Sequence, residues 1–79
     1  MSKTVHKWQK NSAEEVRVSL EEYKGLDLID IRAYALSSAG EGEAKPTQKG
    51  IAIRVEQFHE LVRGIEEVKR ELGKTGKQE

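Results

Sequence analysis

Cysteine is absent from this sequence, so neither a disulfide nor a thiolate zinc site can brace the fold. Proline occurs once, as Pro46, and the aromatic residues are limited to Trp8, Tyr23, Tyr34 and Phe58. The only histidines, His6 and His59, lie far apart in the chain. Nucleophilic and metal chemistry therefore have little to work with, and no enzyme, metal or cofactor is expected. His59-Glu60-Leu61-Val62-Arg63 opens like a zinc-protease helix, but Arg63 stands where the second histidine would be needed. Gly73-Lys74-Thr75 resembles the end of a phosphate-binding loop, yet Val68 occupies the place of its first glycine. No apolar run approaches the ~20 residues of a membrane span, and the N-terminus lacks a signal-peptide core. The expected setting is intracellular, in the cytoplasm or nucleoid if the chain is bacterial.

What is present is one small domain of 79 residues. A chain this short buries only about 60–65% of the surface its unfolded form exposes, so self-association is the expected support. Its 14 basic and 14 acidic side chains give a net charge of zero, but they are unevenly placed. Residues 1–10 hold Lys3, Lys7 and Lys10 and no acid. Residues 11–30 hold six acids against two bases, and residues 31–55 return to an excess of cations. A neutral total can therefore hide a cationic groove, or simply reflect a mixed solvated surface.

Periodicity supplies the elements. Phe58, Leu61, Val62, Ile65, Val68 and Leu72 recur at steps of three and four and predict an amphipathic helix. Gly73 is its expected stop, residues 74–79 are expected to fray, and Glu66 with Arg70 forms an expected (i, i+4) pair. Ile51, Ile53 and Val55 alternate with Gly50, Ala52 and Arg54, while Ile29, Ile31, Ala33 and Ala35 alternate with Asp30, Arg32 and Tyr34; both runs predict half-buried strands. Residues 37–44 suit a hairpin loop, and Pro46 predicts an edge or bulged lead-in over residues 45–48. Residues 13–24 fit two patterns. Ser12-Ala13-Glu14-Glu15 reads as a capping box before a helix, whereas Val16, Val18 and Leu20 alternate as in a strand. Residues 1–12 form either a first strand, turning at Asn11-Ser12, or a basic arm.

Three blocks in order carry a family likeness. They are Tyr23-Lys24-Gly25, then Leu28-Ile29-Asp30-Ile31-Arg32-Ala33-Tyr34, then Lys45-Pro46-Thr47-Gln48-Lys49-Gly50-Ile51, ahead of the helix. From about Val16 to Leu72 the chain resembles the C-terminal domain of the positive cofactor four family of transcriptional coactivators, which includes short bacterial members. The resemblance implies an α+β fold, a curved four-stranded antiparallel sheet followed by one C-terminal helix. It also implies a homodimer with paired helices and grooves for single-stranded DNA, and it resolves residues 15–23 as a strand. By the same resemblance Tyr23 stacks on bases, Lys24, Arg32, Lys45 and Lys49 hold the backbone, and Tyr34 occupies an aromatic position of the motif.

The departures from the family are equally specific. Ala35 stands where the eukaryotic form has a second stacking tryptophan, and Gln48 replaces a basic residue. Glu14, Glu15 and Glu21 occupy a strand that is more basic in the family. Trp8, set between Lys7 and Lys10, reads either as a compensating stacking platform or as a packing residue. Phe58, Leu61, Gly64, Ile65 and Val68 are the expected dimer contacts, with Gly64 permitting close approach of a second helix. The other reading is a protein-interaction or dimerisation module of the transcription machinery that does not itself bind nucleic acid.

Overall fold

The computed structural model describes residues 2–37 and 44–74. Strands β1 (Lys3–Gln9), β2 (Glu14–Tyr23), β3 (Leu26–Ala35) and β4 (Lys45–Arg54) are followed by a 3-10 turn (Val55–Gln57) and helix α1 (Phe58–Lys74). The sheet is antiparallel, open and curved, in the order β1-β2-β3-β4. The predicted hairpin loop falls largely outside the described residues.

The segment that fitted both helix and strand is β2. Ser12 caps no helix; instead Asn11 Oδ1 accepts the Ala13 N–H at 2.8 Å, and the N–H of Lys10 and of Asn11 both reach the Glu14 carbonyl. Beyond this asparagine-built turn, Lys3–Gln9 is a paired strand rather than an arm. At the other end of β2, Tyr23 pairs with Leu26 across a two-residue turn. Lys24 and Gly25 have φ values of 51° and 80°, the two positive angles of a type I′ hairpin turn. That turn fixes the whole register, placing Arg17 opposite Arg32 and Glu15 opposite Tyr34.

Register separates the two faces. Val16, Val18 and Leu20 on β2 lie with Ile29, Ile31 and Ala33 on β3 and with Ile51 and Ile53 on β4. The opposite face carries Thr4, Ser19 and Asp30 in one row and Lys7, Arg17 and Arg32 in the next. Ile29, Ala33, Ser19 and Asp30 are the buried residues among those described, a very small core for one chain. Polar members of that core are satisfied: Thr4 Oγ1 and Ser19 Oγ share a hydrogen bond of 3.3 Å, and Asp30 binds Arg32.

Pro46 lies on edge strand β4, beyond an irregularity. Arg32 pairs with Gly50 but Tyr34 pairs with Pro46, so three residues of β4 oppose the single Ala33. Thr47 bridges the slip, its Oγ1 donating to the Ala33 carbonyl at 2.8 Å and accepting the Lys49 N–H at 3.1 Å.

Helix α1 meets the rest of the chain mainly through the 3-10 turn before it. The Cα radius of gyration is 14.9 Å, against about 12 Å for a compact chain of this length. Leu61 is half-buried, while Phe58, Val62, Ile65, Val68 and Leu72 keep an apolar stripe exposed. Two expectations for the helix need correction. It continues through Gly73, which keeps a negative φ, to Lys74, whose ammonium lies 3.4 Å from Glu71 one turn back. Arg70 pairs at (i, i+3) with Glu67, both carboxylate oxygens lying within 3.0 Å of Nη1, rather than with Glu66. Residues 75–79 of the expected frayed tail lie outside the described residues.

Candidate nucleic-acid interface

Arg17 is the residue that sequence reasoning missed. Its guanidinium carbon lies 4.3 Å from the centre of the Tyr34 ring, a cation–π distance, and its Nε donates to Glu15. Alternation alone did not reveal which face Tyr34 took. Register from the hairpin turn does, because Tyr34 sits opposite Glu15, one pair along from Arg17 and Arg32. The signal was therefore available only once residues 14–23 were known to be a strand joined by a two-residue turn.

Lys7, Arg17 and Arg32 face one another across β1, β2 and β3. Like charges directly opposite are unfavourable in a sheet, by roughly 0.2–1 kcal/mol per pair. Acids two residues along the same strands offset this cost: Glu15 beside Arg17, and Asp30 beside Arg32 at 2.9 Å. Arg32 is the most constrained of the three. Its Nη1 also donates to the Thr47 carbonyl at 2.9 Å, tying β3 to the irregular start of β4. Its pKa is raised, chiefly by the Asp30 hydrogen bonds, so the charge is secure. An open cleft lined by Thr4, Val5, His6, Lys7 and Arg17 borders this row where β1 bulges at Val5.

Tyr23 and Lys24 stand apart from that row, at the hairpin tip. Tyr23 is 60% exposed, and the Lys24 ammonium lies 5.3 Å from its ring centre. Tyr34 lies eight positions along β3 from Leu26, the residue opposite Tyr23. At ~3.4 Å per residue the two tyrosines occupy stations about 27 Å apart on the same face. Within one copy they cannot sandwich one base.

Lys10 and Lys49 meet at the far end of the apolar face. Both reach Glu14, at 3.7 Å and 3.2 Å, while Asn11 donates to the same carboxylate at 3.2 Å. The Asn11 hydrogen bond, with that from Lys49, holds the Glu14 carboxyl below the usual carboxylate range. Lys45 is exposed at the start of β4, opposite Ala35. Trp8 is opposite Val16, half-exposed, and tilted against the His6 ring at 5.8 Å. The nine expected contact residues thus fall into three places: the cation row with Tyr34, the hairpin tip, and the Glu14 end with Trp8 and Lys45.

An open antiparallel sheet bearing cations and tyrosines on its polar face, with a largely detached amphipathic helix, defines a small single-sheet α+β domain. The chain belongs to the transcriptional coactivator p15 (PC4) family, whose sequence profile matches residues 10–64. It is 40% identical over 60 residues to the RNA polymerase II transcriptional coactivator SUB1 of Saccharomyces cerevisiae, a match covering 72% of this chain and 20% of that protein. A PC4 homologue from Burkholderia pseudomallei superposes with a TM-score of 0.77 at 30% identity, covering 89% of this chain and 92% of that one. The MoSub1 chain of a MoSub1–DNA complex gives a TM-score of 0.64 at 28% identity, covering 94% and 88%. No described helix is long and apolar enough to cross a membrane.

Proposed function

We propose that this chain is a homodimeric single-stranded DNA-binding domain of transcriptional coactivator type, acting inside the cell without catalysis. The observation that carries the reading is the row of Lys7, Arg17 and Arg32 across three strands, with Tyr34 lying beneath Arg17. Cations at the strand spacing of roughly 4.8 Å suit successive phosphate oxygens, and exposed aromatic faces accept bases without reading their identity. Membership of a family that includes SUB1, and likeness to a protein solved with DNA, support the same assignment.

What one copy leaves uncovered supports the dimeric reading. Phe58, Val62, Ile65 and Val68 are exposed along one helix face, and Leu20, Ile51 and Val55 are exposed on or beside the apolar side of the sheet. A second copy would cover these surfaces through a two-fold interface, with Leu61 and Gly64 in the helix contact.

Anisotropy of labelled single- and double-stranded oligonucleotides across a salt series tests the function. Single-strand preference with a clear salt slope is expected. Tyr23→Ala removes a stacking contact worth about 1–3 kcal/mol and should leave the slope unchanged. Lys7→Ala should flatten the slope by about 0.7, the increment for one phosphate contact on a single strand. Absence of binding at low salt would reject the assignment in favour of a protein-interaction module.

A further inference from the structure

Glu14 draws together two lysines from either side of strand β2. Lys10 approaches from the β1–β2 turn, whereas Lys49 belongs to β4 and must reach across β3. Strands lie ~4.8 Å apart, so that reach crosses nearly 10 Å of sheet. Only small side chains of β3 lie near this path: Ala35 is opposite Glu14, and Ala33 is the residue facing the irregular stretch that contains Lys49. A tryptophan at position 35 would stand in the way. The departure at Ala35 and the carboxylate at Glu14 therefore form one local arrangement.

The exposures are unequal. The Glu14 side chain is 15% exposed, while those of Lys10 and Lys49 are 47% and 67% exposed. Two ammonium groups and the Asn11 amide converge on one carboxylate, the same donor set that would hold a phosphodiester oxygen. The Asn11 amide orientation is fixed independently, since its Oδ1 accepts the Ala13 N–H.

We propose that Lys10, Lys49 and Asn11 form a phosphodiester subsite whose resting occupant is the carboxylate of Glu14, an internal competitor that weakens backbone binding at this end of the sheet. The inference rests on the functional reading above and adds a residue that sets its affinity. Binding a phosphate there requires Glu14 to give up its lysines, so one unit of the local positive charge is unavailable to the strand.

Glu14→Gln removes the charge but keeps an oxygen able to accept from Asn11. Restoring one phosphate contact should steepen the salt slope for single-stranded DNA by about 0.7, which corresponds to roughly fivefold tighter binding per tenfold reduction in salt. Lys49→Ala made in the Glu14→Gln background should cancel most of this gain, whereas Lys49→Ala alone should change the wild-type slope less. Glu66→Gln on the helix makes the same change in net charge and should leave the slope unaltered. Thermal melts of each variant confirm that the compared chains are folded. Wild-type binding with an unchanged or flatter Glu14→Gln slope, or an equal gain from Glu66→Gln, would overturn the competitor role alone. Binding by neither wild type nor Glu14→Gln would overturn it together with the functional reading.

Discussion

Gly50→Ala is the substitution whose outcome the structure constrains most tightly. A methyl group placed at Gly50 would lie 2.6 Å from the Ile31 carbonyl oxygen and 2.8 Å from Arg32 Cα. Ordinary contacts begin at 3.4 Å, so the two strands would have to part by most of an ångström. The obstructing atoms are mainly backbone of β3, a strand held between β2 and β4, and no rotamer change moves them. Overpacking typically costs 1–3 kcal/mol, and disturbing a neighbouring ladder hydrogen bond adds about 1 kcal/mol. The entropic benefit of alanine over glycine in the unfolded chain returns about 0.4–1 kcal/mol. A net loss of about 1–3 kcal/mol is a large share of the roughly 4–12 kcal/mol available to a chain of this size. At about 4–8 °C per kcal/mol, the midpoint should fall by roughly 5–20 °C. Thermal denaturation followed by circular dichroism, at one fixed protein concentration, measures this shift. Gly73→Ala is the matched control: nothing lies within 4 Å of its added methyl, and alanine should stabilise the helix by up to about 1 kcal/mol. A Gly50→Ala midpoint within 2 °C of wild type (about 0.5 kcal/mol or less) would refute the close-approach argument.

Two further outcomes follow from the ion pairs and the helix. Arg32→Ala should lower stability as well as any DNA affinity, because it strips the partner from buried Asp30 at a cost of about 1–3 kcal/mol; Arg32→Ala with Asp30→Asn should recover part of that loss in denaturant titrations. Gly64→Leu should shift sedimentation towards the monomer without reducing helix content, since nothing within one copy lies within 4 Å of an added Cβ there; an unchanged dimer would remove Gly64 from the interface.

The helix was legible from spacing alone because its apolar stripe repeats over four turns, although its end was not. Gly73 carries the composition of a stop, but the left-handed glycine cap needs a positive φ, which Gly73 does not adopt, and the helix runs on to Lys74. β3 and the second half of β4 were legible by alternation. β2 was not, because Glu14, Glu15 and Ala13 satisfy a helix start as well as a strand; pairing on both sides with β1 and β3 decides in favour of the strand. Lys49 and Lys10 were recognisable as cations from the sequence. That they converge on Glu14 was not recognisable, since the three residues are brought together by two strand pairings and a slip in register.

The sequence by itself determined that this protein has no cysteine chemistry, that it carries one amphipathic helix after alternating segments, and that its charges are segregated along the chain. Tertiary structure decided which of those charges meet. A two-residue turn at Lys24-Gly25 sets the register of β2 against β3, and side chains alternate with period two, so one slipped residue would move Arg17 away from Tyr34 to the other face. Charge segregation is local in sequence, but the cation row and the Glu14 cluster exist only because hydrogen-bonded strands place distant residues side by side.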